Sequence, residues 1–209
     1  MEKKSDVPVF FCIPDITGFT KFITSSKHPE FAHKVITNVL NRVIGSNILG
    51  LSVAEIEGDA VFFYKKGRLP AVNKVAKQCQ LIYETFVSTI ESFKQTEPDM
   101  YELYLSKNQL GIKIVIHYGH IALAKIKGRT KLMGEDVILV HKLLKNSITE
   151  PCYILLTNKY MEKLKDKKVV KTWFNWENVK KGKDKYEHFG LTHYSYISLI
   201  DCKTVNMSK

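Results

Sequence analysis

The 209-residue chain lacks any apolar run long enough to cross a bilayer. Its longest, around Val7–Pro14, falls far short of the roughly 20 residues that a spanning helix needs. Met1-Glu2-Lys3-Lys4-Ser5-Asp6 carries lysines, but it has neither a long apolar stretch nor a small-residue cleavage site, so no signal peptide is read there. Cysteine is scarce: four residues, at 12, 79, 152 and 202, with no C-x-x-C pair. Zinc staples want clustered thiolates or imidazoles, so none is expected, and a reduced, cytoplasmic setting fits cysteines that act as small apolar residues. There is no internal repeat, low-complexity tract or Pro/Gly-rich linker. The chain is therefore read as one domain, 1–156, with a C-terminal extension, 157–209, packing on it. Arginine is absent from the stretch Lys159–Lys185, where ten lysines face four acids and much of the formal net charge of +11 is concentrated. Arginine is the usual reader of bases and bidentate phosphates. The stretch reads as a solvated lysine face, and nucleic acid is not expected as a partner.

What is present is ordinary for a folded protein: 44% hydrophobic, 25% charged and 11% aromatic residues. Val7 to Ile13 is β-branched and aromatic, as a buried central strand requires, and Pro14 is expected to stop ladder pairing there. Thr17 to Ser26 predicts a helix capped by Thr17. Apolar residues at 32, 35, 36, 39, 40 and 43 predict a helix over Phe31–Ile44. Leu51–Ile56 and Ala60–Tyr64 read as a hairpin turned by Glu57-Gly58-Asp59. The longest helix begins near Pro70 and carries apolar residues from 72 to 93, followed by a polar loop, Lys94–Gln109. Gly111–His117 and His120–Ile126 read as a second hairpin around Tyr118-Gly119. A helix within Gly134–Ser147, a strand at Cys152–Leu156, a short helix at Asn158–Leu164 and a late hairpin or edge strand in Tyr186–Ile200 complete the order. Helices and hairpins on a mostly antiparallel sheet make an α+β sandwich, compatible with a ferredoxin-like core.

Asp15 follows the first strand and Asp59 sits in a hairpin turn. Each taken alone is explained by helix capping or turn chemistry. Their surroundings carry more. Ile13-Pro14-Asp15-Ile16-Thr17-Gly18-Phe19-Thr20 resembles the F-x-D-I-x-G-F-T segment that opens class III adenylyl and guanylyl cyclase domains. Glu57-Gly58-Asp59-Ala60-Val61-Phe62 resembles their I-G-D hairpin. Ile114-Val115-Ile116-His117-Tyr118-Gly119-His120-Ile121 and Met133-Gly134-Glu135-Asp136-Val137-Ile138-Leu139-Val140-His141-Lys142 are similar to their third and fourth motifs, in order, over roughly residues 7–147. The chain thus resembles a divergent, bacterial-type branch of that family.

The resemblance implies a site. Asp15 and Asp59, helped by the Ile16 carbonyl, would hold Mg²⁺ or Mn²⁺, hard cations that prefer oxygen ligands. Thr17, Gly18, Phe19 and Thr20 would offer backbone amides to phosphate. The position of the adenine-selecting lysine holds Glu55, and that of its acidic partner holds Lys131, so the two charges are exchanged. They either pair and close the base pocket, the reading preferred here, or read a different base. The position of the ribose-orienting asparagine holds Ile138, which cannot hydrogen-bond through its side chain. The position of the transition-state arginine holds Lys142, which keeps the charge without the bidentate fork. Removing one preorganised donor costs about 100- to 1000-fold in rate. A metal- and nucleotide-binding or regulatory module with weak or no cyclase activity is therefore expected. The alternative is an active cyclase of altered base specificity, with Lys142 supplying catalytic charge. Family architecture also implies a head-to-tail homodimer and a nucleoside triphosphate ligand. His117, His120 and His141 read as packing or surface residues and receive no catalytic role.

Overall fold

The apolar run that opens the chain becomes the centre of an eight-stranded sheet. The computed structural model describes residues 6–106, 110–164, 174 and 176–199. Strand β1 (Val7–Thr17) lies between β3 (Ala60–Lys66) and β4 (Gly111–Ile126), antiparallel to both. Outside β3 lies β2 (Ser52–Glu57). On the other side β4 pairs in parallel with β6 (Tyr153–Thr157), β6 antiparallel with β8 (Gly190–Ser198), and β8 antiparallel with the edge strand β7 (Lys180–Tyr186). β5 (Arg129–Met133) folds back on the far end of β4. The architecture is α+β with a mostly antiparallel sheet.

The pleat of β1 sorts its side chains into two cores. Phe10, Cys12 and Ile16 join one, together with the buried faces of α2 (Pro29–Gly45) and α3 (Val72–Thr96). Val9, Phe11 and Ile13 join the other, under α5 (Glu135–Leu143). Alternation at period 2 forces this division. The helical spacing of Val75, Ala76, Cys79, Ile82, Tyr83, Phe86 and Phe93 lays one stripe of α3 on the sheet. The short helices α1 (Phe19–Ser25), α4 (Pro98–Tyr104) and α6 (Asn158–Glu162) fill the connections.

Several local expectations are corrected. Pro14 does not end β1. Its missing N–H is accommodated on the β3 side, where the paired residues pass from Cys12–Phe63 to Asp15–Ala60, while the β4 register runs through Pro14–Ile114 to Thr17. Thr17 does not cap α1. Gly18 is the N-cap at φ 80°, and the Thr17 hydroxyl donates instead to the Pro151 carbonyl at 2.6 Å. Lys94–Gln109 is not all loop, because Glu97 separates the end of α3 from α4. Tyr118-Gly119 is not a turn. β4 runs straight through it, and the chain reverses at Lys127-Gly128, both at positive φ, as the tight primed hairpin turns require. β8 is interior. The edge is β7, whose exposed Lys180, Lys181, Lys183 and Lys185 discourage pairing with another chain. The lysines at 165, 167, 168 and 171, with Trp173 and Cys202, lie outside the described residues. Phe174 is buried, and Trp176 packs on the same core.

Tyr160 is fully buried in that core, and its hydroxyl has no hydrogen-bond partner among the described residues. An unsatisfied buried hydroxyl costs about 1–3 kcal/mol. Tyr160→Phe is therefore expected to leave stability unchanged or to raise it by up to about 1 kcal/mol, as read by urea denaturation. A loss above about 1 kcal/mol would reveal a partner for the hydroxyl.

Candidate metal and phosphate site

The same alternation that builds the second core also assembles the polar site. Asp15 shares the face of Ile13 and Phe11, and Lys113 shares the face of Val115. The register of β1 against β4 sets Asp15 directly opposite Lys113. Lys113 Nζ lies 3.2 Å from Asp15 Oδ2, with both side chains mostly buried. Asp59 reaches the same place from the β2–β3 turn. Its carbonyl accepts from the Ile16 N–H at 3.4 Å, and its neighbour Ala60 is paired with Asp15. Burial, the Asp15 charge and a hydrogen bond to Asp15 push the Asp59 carboxyl up to about 7. The Asp15 charge so close by disfavours ionisation of Asp59, which is still partly protonated near neutrality.

A cleft of about 950 Å³ opens over this pair. Thr17, Gly18, Phe19 and Thr20 line it, as do Ile16, Ile138 and Lys142. Lys21, Lys113 and Lys145 border it as well, so four lysines stand beside four carboxylates, Asp15, Asp59, Glu57 and Glu150. Ile138 and Lys142 belong to α5, and they border the same cleft as Asp15 and Asp59 of the same chain. The volume matches that of small-molecule sites.

Glu55 and Lys131 lie elsewhere, around a second cavity of only about 30 Å³ between β2, β3, β5 and α5. Lys131 Nζ stands 3.7 Å from Glu55 Oε2. The exchanged charges face each other across strands that the sequence does not show to be neighbours. His141 joins this cluster. Its Nε2 lies 3.4 Å from Glu55 Oε1, and its Nδ1 lies 3.1 Å from Glu57 Oε2. Its ring stacks on Phe62 at 4.1 Å between centroids, with the planes 23° apart.

Sequence reasoning took His141 for a packing or surface residue and did not single out Lys113, Lys21 or Lys145. Lys21 lies one residue past the first motif, and Lys145 lies one helical turn from Lys142. Lys113 is legible only from the β1–β4 register, and His141 only from the seating of α5.

A third polar cluster secures α5. Asp136 Oδ1 lies 3.0 Å from His117 Nε2 and 2.6 Å from Lys159 Nζ, and Asp136 Oδ2 accepts the His120 N–H at 2.7 Å. Burial alone would raise the Asp136 carboxyl, but the bonds from His117, Lys159 and His120 outweigh it and hold it well below the usual carboxylate range. His117 Nδ1 is 2.9 Å from the Thr157 hydroxyl, which also caps α6.

The donor set at Asp15 and Asp59 suits a hard divalent cation. Among the described residues no group of three or more His, Cys, Asp or Glu side chains is arranged to hold a metal. The chain thus offers two carboxylates, with further oxygens left to a backbone carbonyl, water or a ligand phosphate, the pattern that Mg²⁺ commonly adopts. No described helix is long and apolar enough to cross a membrane.

A family model described as "Protein of unknown function (DUF2652)" matches residues 36–153. An uncharacterized protein of Mycobacterium tuberculosis, Rv2561/Rv2562, is 34% identical over 109 residues, 52% of this chain and 51% of its own length. The chain therefore spans about half the length of the curated relative it matches. Among solved structures, the adenylyl cyclase CyaB from P. aeruginosa aligns over 93% of this chain and 95% of its own, with TM-score 0.55 and 16% identity. The guanylyl cyclase Cya2 aligns over 93% and 94%, with TM-score 0.58 and 16% identity. A class III adenylyl cyclase-like ATP-binding protein from Pseudomonas aeruginosa aligns over 75% of this chain and 34% of its own, with TM-score 0.56 and 13% identity. At such identities the likeness is one of fold, and the fold is that of class III cyclase domains.

Proposed function

The chain belongs to the DUF2652 family, and from that premise we propose that it is a divergent cyclase-like domain which binds a divalent cation and a phosphate-bearing ligand, with weak or no cyclase activity. The observation that supports this reading is the Asp15–Asp59 carboxyl pair lining a cleft that four lysines also border. Asp15 and Asp59 would hold Mg²⁺ or Mn²⁺, with the Ile16 carbonyl as a further oxygen. Such an ion supplies charge neutralisation for phosphate oxygens. Lys113 balances Asp15 and keeps one cationic charge beside the ligand. Lys21, Lys142 and Lys145 add charge around the cleft but no bidentate fork. Ile138 would offer no hydrogen bond to a ribose, and the Glu55–Lys131 pair holds the two positions that the resemblance assigns to base reading.

The presence of Lys142 on the same cleft favours a second reading, an active nucleotidyl cyclase of altered specificity. A nucleoside triphosphate would then be the substrate and a homodimer the working form. The exposed apolar side chains of Ile56, Met133 and Ile138 offer a surface for a second copy. One assay separates the readings. Purified protein with Mn²⁺ is incubated with ATP or GTP beside Asp15→Ala. Cyclic nucleotide formation that the substitution abolishes would sink the weak-activity reading. Absence of turnover, with Mn²⁺-dependent thermal stabilisation lost in the variant, is the expected result.

A further inference from the structure

A further cavity, of about 370 Å³, lies beyond the end of β3 that is farther from Asp59. β3 begins at Ala60, opposite Asp15, and ends at Lys66, opposite Val9. Six residues at about 3.3 Å each set these ends roughly 20 Å apart. No residue lines both this cavity and the Asp15–Asp59 cleft. Its volume falls within the roughly 300–1,000 Å³ of small-molecule sites.

The lining is cationic and apolar. Lys65, Arg68 and Lys74 border the cavity, and no carboxylate does. The sequence accounts for this one-sided charge, because residues 60–83 hold Lys65, Lys66, Arg68, Lys74 and Lys77 and no acid. Lys65 Nζ donates to the Leu49 carbonyl at 2.6 Å. That acceptor is neutral, so the charge stays unbalanced and two donors of the ammonium stay free. Ile48, Leu49, Leu69 and Pro70 supply the apolar wall. The wall is pinned in place. The buried Gln78 accepts the Ile48 N–H at 2.8 Å and the Leu49 N–H at 3.1 Å, and its Nε2 donates to the Ser46 carbonyl at 3.0 Å. On the Arg68 side, the Gly67 N–H donates to the Pro8 carbonyl at 2.8 Å, and the Gly67 carbonyl accepts from the Tyr118 hydroxyl at 3.1 Å. A wall held this way loses little freedom when a ligand arrives. α3 starts at the cavity with no acid in its first turn, and its dipole adds to the potential of the three cations.

We propose that this cavity binds a small organic phosphate, its phosphate held by Lys65, Arg68 and Lys74 and its apolar body laid on Ile48, Leu49 and Leu69. Three cations suit a dianion, and the Arg68 guanidinium offers the planar fork that matches phosphate oxygens. The apolar wall sets such a ligand apart from inorganic phosphate, which would leave the wall in water. The site needs no metal and is independent of the Asp15–Asp59 reading.

The test titrates the full chain, in EDTA, with phenyl phosphate, inorganic phosphate and benzyl alcohol by isothermal calorimetry. Phenyl phosphate is expected to bind at least about tenfold more tightly than either of the others. Equal constants for phenyl phosphate and inorganic phosphate overturn the proposal, as does an absence of phenyl phosphate binding at millimolar concentration. Arg68→Ala and Lys74→Ala, both at exposed positions, are each expected to weaken phenyl phosphate by about tenfold. Unchanged affinity in both variants overturns the proposal too. In Asp59→Asn the affinity is expected to stay within about twofold of wild type, because the two sites are far apart. Loss of binding in that variant would put phenyl phosphate in the cleft instead. Sedimentation with phosphatidylcholine vesicles, with and without phosphatidate, separates a soluble phosphate from a lipid headgroup. Phosphatidate-dependent sedimentation that Arg68→Ala abolishes, in protein that does not bind phenyl phosphate, would make the occupant a bilayer surface and overturn the soluble ligand.

Discussion

Asp59→Asn is expected to abolish the stabilisation of this protein by Mn²⁺ and, without metal, to make it more stable at neutral pH. The two effects share one cause. Burial and the adjacent Asp15 charge push the Asp59 carboxyl from 3.8 up to about 7. The folded chain therefore binds a proton that the unfolded chain has released. Stability from this group is fully present below about 4 and is lost as pH rises through about 7. Asp59 is only half-buried, so solvent screening reduces the effect to about 1–2 kcal/mol. Asparagine cannot ionise and removes that slope. A cation at one hundred times its dissociation constant adds about 2.7 kcal/mol. For a chain of this size that is about 5–10 °C in Tm. Differential scanning fluorimetry from pH 4 to 8, with and without Mn²⁺, reads both effects. A Tm of metal-free protein that is flat or rising between pH 4 and 7 in the wild type, but not in the variant, would contradict the carboxylate pairing.

Gly119→Ala is expected to be strongly destabilising. Gly119 lies inside β4, where a glycine normally weakens a strand. The added methyl would overlap the carboxylate of Asp136 and come within 2.7 Å of His117 Nε2. Neither group has room to yield. Asp136 is held by Lys159, by the His120 N–H and by His117, and His117 is fully buried. Relief would break at least one of these bonds and unseat α5. The cost is about 3 kcal/mol from overpacking and lost buried hydrogen bonds, or about 6–12 °C in Tm. Because α5 carries Ile138, His141 and Lys142, the cleft should loosen as well. A Tm within 2 °C of wild type would show that the Asp136 cluster shifts easily.

Gly119 also shows where sequence reading stops. Tyr118-Gly119 between two apolar runs has the composition of a turn, and a turn is what local pattern predicts. The glycine is there for a contact with Asp136, 17 residues away and on another element. The actual turn, Lys127-Gly128, stands in a polar stretch with no apolar run after it, so β5 passed unnoticed. Pro14 misled in a similar way. A proline forbids one donor, but in an antiparallel ladder that loss falls on one neighbour, and the β4 side continued through it.

The site divides along the same line. Asp15 and Asp59 were singled out because their segments resemble two family motifs, since the local pattern alone explains each as a cap or a turn residue. The pairing of Glu55 with Lys131 could be anticipated as an exchange of charge, and the structure places the two groups 3.7 Å apart. Lys113 could not be found, since nothing within a few residues of it marks it out from the other lysines. It faces Asp15 because two strands 98 positions apart align with Asp15 opposite Lys113. His141 could not be found either. Its spacing is that of a packed helical residue, which it is, but what it packs on is Phe62, beside Glu55 and Glu57.

By itself the sequence determined most of the element types and the α+β class, because period, β-branching and turn chemistry act over a few residues. Only the tertiary structure decided what faces Asp15 and Asp59 and that Glu55, Lys131 and His141 meet. Strand register and helix seating are settled by burial summed over the whole sheet, and no local pattern carries that sum.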